Sequence, residues 1–116
     1  MKEKILILGA SSYIGENLLF FLKKEKYKVF CTYNKNYKTI FKYFTSIKLN
    51  IEKVNILSFP ENISTIIVLL DTTPENQKDL NKYLNFLKKL KNYLLRNNIK
   101  KIIYISSGSV YEADKK

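Results

Sequence analysis

The sequence predicts an α/β domain: a doubly wound parallel sheet of about five strands, order 3-2-1-4-5, with helices on both faces. Three observations carry this. Lys4–Leu19, KILILGASSYIGENLL, reads as a buried strand, a glycine turn and a helix. Strand and helix patterns then alternate to the end of the chain. Ile63–Leu70, ISTIIVLL, is a near-continuous apolar run, as expected of a parallel strand covered on both faces.

The elements follow in order. Lys4–Leu8 is the first strand. Gly9–Gly15 is the turn, and helical periodicity runs from Glu16, with Ile14, Leu18, Leu19, Phe21 and Leu22 as its apolar face. Gly9 permits a tight turn with unusual dihedrals, and Gly15 permits close packing of helix on strand. Free amides and the positive end of the helix dipole point above the turn, which suits a pyrophosphate. Ser12 stands where the G-x-x-G-x-x-G spacing has its middle glycine. Tyr27–Tyr33 reads as the second strand, 34–36 as a turn, Tyr37–Phe44 as a short amphipathic helix and Ser46–Leu49 as the third strand. Ile51–Leu57 suggests one or two helical turns closed by Pro60. Thr73, Pro74 and Glu75 mark a helix start. The helix that follows carries Leu80, Tyr83, Leu84, Leu87, Leu90 and Leu94 as a core stripe, with Lys78, Lys82 and Lys89 opposite. Asn97 and Asn98 can end it in a left-handed conformation. Lys101–Ser106 is the fifth strand.

Composition narrows the function. The 116 residues suffice for one domain with a modest core, and 46% apolar content excludes a disordered chain. No run approaches the ~20 apolar residues of a membrane span, and no secretory leader is evident. One cysteine, Cys31, in an apolar run and no histidine point to a buried thiol, a cytoplasmic location and no metal site. The formal charge of +11 can favour nucleic acid or acidic membranes. The lysines are scattered along the chain, so the charge is read as solubility and weak polyanion binding, and neither a membrane nor nucleic acid is the expected partner.

Gly9-Ala-Ser-Ser-Tyr-Ile-Gly15 after a strand, and Ile103-Tyr-Ile-Ser-Ser-Gly-Ser-Val-Tyr111 at the end of a later strand, resemble one family. It is that of the extended short-chain dehydrogenase/reductases, the NAD(P)-dependent epimerases and dehydratases of nucleotide-sugars. The resemblance covers nearly the whole chain but only the N-terminal, Rossmann-like part of such an enzyme. It implies a dinucleotide cofactor with its pyrophosphate on the turn matching Gly9, Ser11, Ser12, Tyr13, Ile14 and Gly15. An acidic residue commonly ends the second strand in the family and holds the adenosine ribose. Here Tyr33 stands there, followed by Asn34 and Lys35, with Lys38 nearby; absence of the acid tilts the cofactor towards NADP. Equally, Tyr33 can simply cap the strand. Asn50 and Ile51 match the family's aspartate and apolar residue beside adenine. Ser107 matches the serine that hydrogen-bonds the substrate during hydride transfer, although residues 106–109 also read as a plain polar turn. Leu70-Asp71 replaces the small residues usual beside the cofactor.

The family's Tyr-x-x-x-Lys acid/base pair is not found at its expected place. Tyr111 and Lys115 have the spacing, but Tyr111 already belongs to the Ser107 motif. The expectation is therefore a domain 1–116 that binds a dinucleotide, and in the family context a nucleotide-sugar, without catalysing the reaction alone and lacking the family's C-terminal substrate region. Apolar surface beside the fifth strand then implies a homo-oligomer or partner chain. The alternative is a non-catalytic scaffold or subunit that binds a protein.

Overall fold

The computed structural model describes residues 3–50, 53, 59–69 and 77–105. Five strands form one parallel sheet: β1 (Lys4–Leu8), β2 (Lys28–Tyr33), β3 (Thr45–Lys48), β4 (Ile63–Val68) and β5 (Lys101–Tyr104), in the order β3-β2-β1-β4-β5. All four neighbouring pairs are parallel, so the predicted order and winding are those observed. This is a Rossmann-like sheet. Helix α1 (Tyr13–Leu22) lies on one face with a short 3₁₀ turn, Thr39–Tyr43. Helix α2 (Gln77–Arg96) covers the other. Among the described residues, no helix is long and apolar enough to cross a membrane.

Strand alternation divides the interior in two. Ile5, Ile7, Val29 and Cys31 pack with Leu19, Leu22, Ile40 and Phe41 on the α1 face. Leu6, Leu8, Phe30, Ile66 and Val68 pack with Phe86, Leu90 and Tyr93 on the α2 face. Central β1 has fully buried residues on both sides, which is why it reads as an unbroken apolar run. Asn62 turns into β4 at φ 65°, a conformation its short polar side chain tolerates.

Both helices differ in phase from the sequence expectation. Helix α1 begins at Tyr13, and its inward face is Gly15, Leu18, Leu19 and Leu22. Contact of Gly15 with the turn fixes this rotation, and steps of three and four from residue 15 give the rest. Ile14 and Phe21, expected inside, are exposed. In α2 the centre of the stripe is Phe86, Leu90 and Tyr93, with Leu80, Leu87 and Leu94 partly buried and Leu84 exposed. The large rings take the middle; Tyr93 meets Phe59 edge-on at 5.3 Å. The Tyr83 side chain lies outside the described set.

Other boundaries shift slightly. The helix expected over Tyr37–Phe44 is the shorter 3₁₀ turn, which buries Ile40 and Phe41. Asn97 does not take the left-handed conformation; among described residues only Gly9 and Asn62 have positive φ. The Asn97 side-chain amide instead donates to the Tyr93 carbonyl at 2.9 Å, satisfying one helix-end acceptor. The fifth strand is the edge strand that the order 3-2-1-4-5 implies; it ends at Tyr104 rather than Ser106 and is exposed at all four positions. Apart from residue 53, the expected helical turns near 51–57 lie outside the described residues, as does the helix start at 73–75.

Candidate cofactor site

The carboxyl end of β1 runs into the turn Gly9–Ser12, beside the carboxyl ends of β2 and β4. Gly9 has φ 81°, so the residue type answers a real backbone demand. Its amide donates to the Thr32 hydroxyl at 3.0 Å, and the Ala10 amide donates to the Thr32 carbonyl at 2.8 Å. Thr32 is buried, and both bonds tie the turn to β2. The Ser11 hydroxyl donates to the Asn36 carbonyl at 2.6 Å, tying the turn's outer side to the loop after β2.

Ser12 is the N-cap of α1. Its extended backbone (φ −68°, ψ 164°) needs no glycine. Its hydroxyl accepts the Gly15 amide at 3.1 Å, and its carbonyl accepts the Glu16 amide at 2.9 Å. The serine therefore keeps the helix start and occupies one of the amides that a phosphate would otherwise use. The amides of Tyr13 and Ile14 have no acceptor a turn earlier in the helix. Their side chains point outward, Tyr13 being 84% exposed. At Gly15 an added β-carbon would sit 2.6 Å from the Ala10 carbonyl oxygen. Only glycine lets α1 approach β1 this closely.

The second group of expected residues adjoins the first. Tyr33 ends β2 half-buried, its ring 5.4 Å from Tyr37 and 5.5 Å from Phe41. Its carbonyl accepts the Leu49 amide at 2.8 Å, which brings the end of β3, and Asn50 after it, alongside. Asn34 and Lys35 follow Tyr33 and are exposed. Lys38 Nζ lies 3.9 Å from Glu16 Oε2, so its charge faces the first turn of α1. Gly9, Ser11, Ser12, Tyr13, Ile14, Gly15, Tyr33, Asn34, Lys35 and Asn50 thus line one carboxyl-end rim, the usual ligand side of a doubly wound sheet. Ile51, Leu70, Ser107 and Tyr111 lie outside the described residues.

Two contributors were not anticipated: Thr32 and the Asn36 carbonyl. A threonine in the otherwise apolar core of KVFCTY was the available signal for Thr32; a backbone acceptor leaves none. Neighbouring Cys31 is fully buried, and burial pushes its thiol up to about 11. It belongs to the core. Among described residues, no group of three or more histidine, cysteine, aspartate or glutamate side chains could hold a metal.

The turn fits a dinucleotide: a positive-φ glycine, a strand edge and a helix start converge, and uncapped amides remain for phosphate oxygens. Comparisons with known proteins agree with this geometry. Residues 5–116 match the model of the "NAD dependent epimerase/dehydratase family". The fold is shared with a solved structure described as "MoeE5 in complex with UDP-glucose and NAD", at 21% identity and a TM-score of 0.66. The alignment covers 93% of this chain and 38% of that one. No match was found among curated protein sequences.

Proposed function

The chain belongs to the NAD dependent epimerase/dehydratase family, and on that premise we propose that it binds NAD(P) across the rim formed by Gly9–Gly15 and Tyr33–Lys35. The observation that carries the reading is the Gly9 turn, pinned by Thr32 and leading into the start of α1. The pyrophosphate rests on the amides of Tyr13 and Ile14. The adenosine ribose lies towards Tyr33, Asn34 and Lys35, and the adenine towards Asn50 and Ile51. No carboxylate follows β2, so a 2′-phosphate meets Lys35 without repulsion, and NADP is the favoured form. When bound, the cofactor supplies a hydride acceptor and donor. Ser107 then holds a substrate hydroxyl, with a nucleotide-sugar as the substrate class. Titration calorimetry with NADPH and NADH tests this. Saturable binding, tighter for NADPH, is expected. Tighter NADH binding would remove the NADP preference alone, and no heat from either at millimolar concentration would sink the cofactor reading.

One observation favours a second reading, a scaffold or subunit for another polypeptide. Ile102, Ile103 and Tyr104 are exposed on both faces of edge strand β5. A self-associating or partner-bound chain would cover them. A monomer by light scattering at high concentration would count against self-association.

A further inference from the structure

The fold gathers lysines that look scattered in the sequence. The C-terminal end of α1, the connection to β2 and the end of the 3₁₀ turn meet at one corner, at the amino-terminal ends of the strands. Lys23, Lys28 and Lys42 line a cleft of about 420 Å³ there, with Tyr27 and Tyr43. Lys24 and Lys26 are exposed beside it, and Glu25 is the sole carboxylate in residues 20–28 and 37–45. Phe20 and Phe21, 55% and 65% exposed, project from the last turn of α1 next to these lysines. Two bare phenyl rings in water are unfavourable, and nothing in the α1 packing requires them.

We infer that this corner docks the protein on an anionic lipid surface. Phenylalanines enter the acyl boundary, tyrosines sit at headgroup level and lysines attract the headgroup charge. Two other occupants fit less well. A second copy would bring the same lysines against these, with a like-charge repulsion that the single cleft carboxylate, Glu25, does not offset. A single-stranded nucleic acid needs aromatic faces within the lysine-lined cleft for its bases, and of the two tyrosines there only Tyr27 is open. The Tyr43 ring is already taken: Lys23 Nζ lies 3.6 Å from its centroid, and Lys42 Nζ 5.2 Å. The corner and the Gly9 turn are at opposite ends of α1, about 15 Å apart along a ten-residue helix. A docked molecule therefore keeps the cofactor rim open, and the inference stands independently of NAD(P) binding.

Co-sedimentation with vesicles tests it. The whole chain is expected to bind vesicles of equal phosphatidylserine and phosphatidylcholine, and not pure phosphatidylcholine. Phe20→Ser with Phe21→Ser should lower the partition coefficient about tenfold. Lys24→Gln with Lys26→Gln should lower it about twenty-five-fold, from about fivefold per lysine. All four side chains are exposed, and circular dichroism verifies that each variant folds. No binding to the anionic vesicles, parent-like partitioning of the phenylalanine variant, or tighter binding to a single-stranded RNA oligonucleotide would overturn the inference.

Discussion

Thr32 shows how one buried hydroxyl positions the glycine turn. It accepts the Gly9 amide and so holds the glycine turn in register with β2. Thr32→Val keeps the shape and the strand propensity but leaves that amide without its acceptor. A loss of about 1–2 kcal/mol in urea unfolding is expected, with weaker NADPH binding in calorimetry. Cys31, next in the strand, carries a pH dependence. Its thiol keeps its proton up to about 11 in the folded state, against an ordinary value of 9.0. Above pH 9 the unfolded chain releases the proton and the folded chain does not. Stability is therefore fully present below pH 9 and falls between pH 9 and about 11, by about 1.4 kcal/mol per unit. Unfolding followed across that range should show a shallower slope for Cys31→Ala. Buried Tyr93, also raised, adds a fall of the same sign at higher pH.

The cap of helix α1 bears on both stability and the proposed binding. Ser12→Ala removes the acceptor for the Gly15 amide and should cost about 1 kcal/mol in urea unfolding. Ser12→Gly should cost only about 0.3 kcal/mol, because glycine caps acceptably. It also removes the β-carbon and hydroxyl from the phosphate side, so tighter NADPH binding is expected by calorimetry. The same helix shows what a sequence can and cannot disclose. Apolar runs located β1, β2 and β4, whose central residues are buried; β3, half-buried or exposed, and β5, exposed, carry no such burial signal. The rotation of each helix was less legible. Counting apolar residues placed Ile14 and Phe21 inside, whereas a contact of Gly15 with Ala10, distant in no pattern but set by tertiary packing, turned them out. Leucine spacing likewise hid Phe86 and Tyr93, whose rings fill the centre of the α2 face. The glycine turn was legible at Gly9, although α1 begins at Tyr13 rather than Glu16; its anchoring by Thr32 and by the Asn36 carbonyl required the fold.

At the scale of the whole molecule, the parallel order β3-β2-β1-β4-β5 sets the two proposed sites at opposite ends. Carboxyl ends carry the glycine turn, Tyr33 and Asn50; amino ends carry the lysine and phenylalanine corner. A polyanionic cofactor meets positive charge at both, so binding alone does not locate it. Amide shifts in a 15N NMR titration with NADPH separate the two ends most directly. If the turn is the cofactor site, saturable shifts appear at Gly9, Tyr13, Ile14 and Gly15 and extend to Asn34 and Lys35. Shifts confined to Lys23–Lys28 and Lys42, or none at the glycine turn under saturating NADPH, would contradict the account.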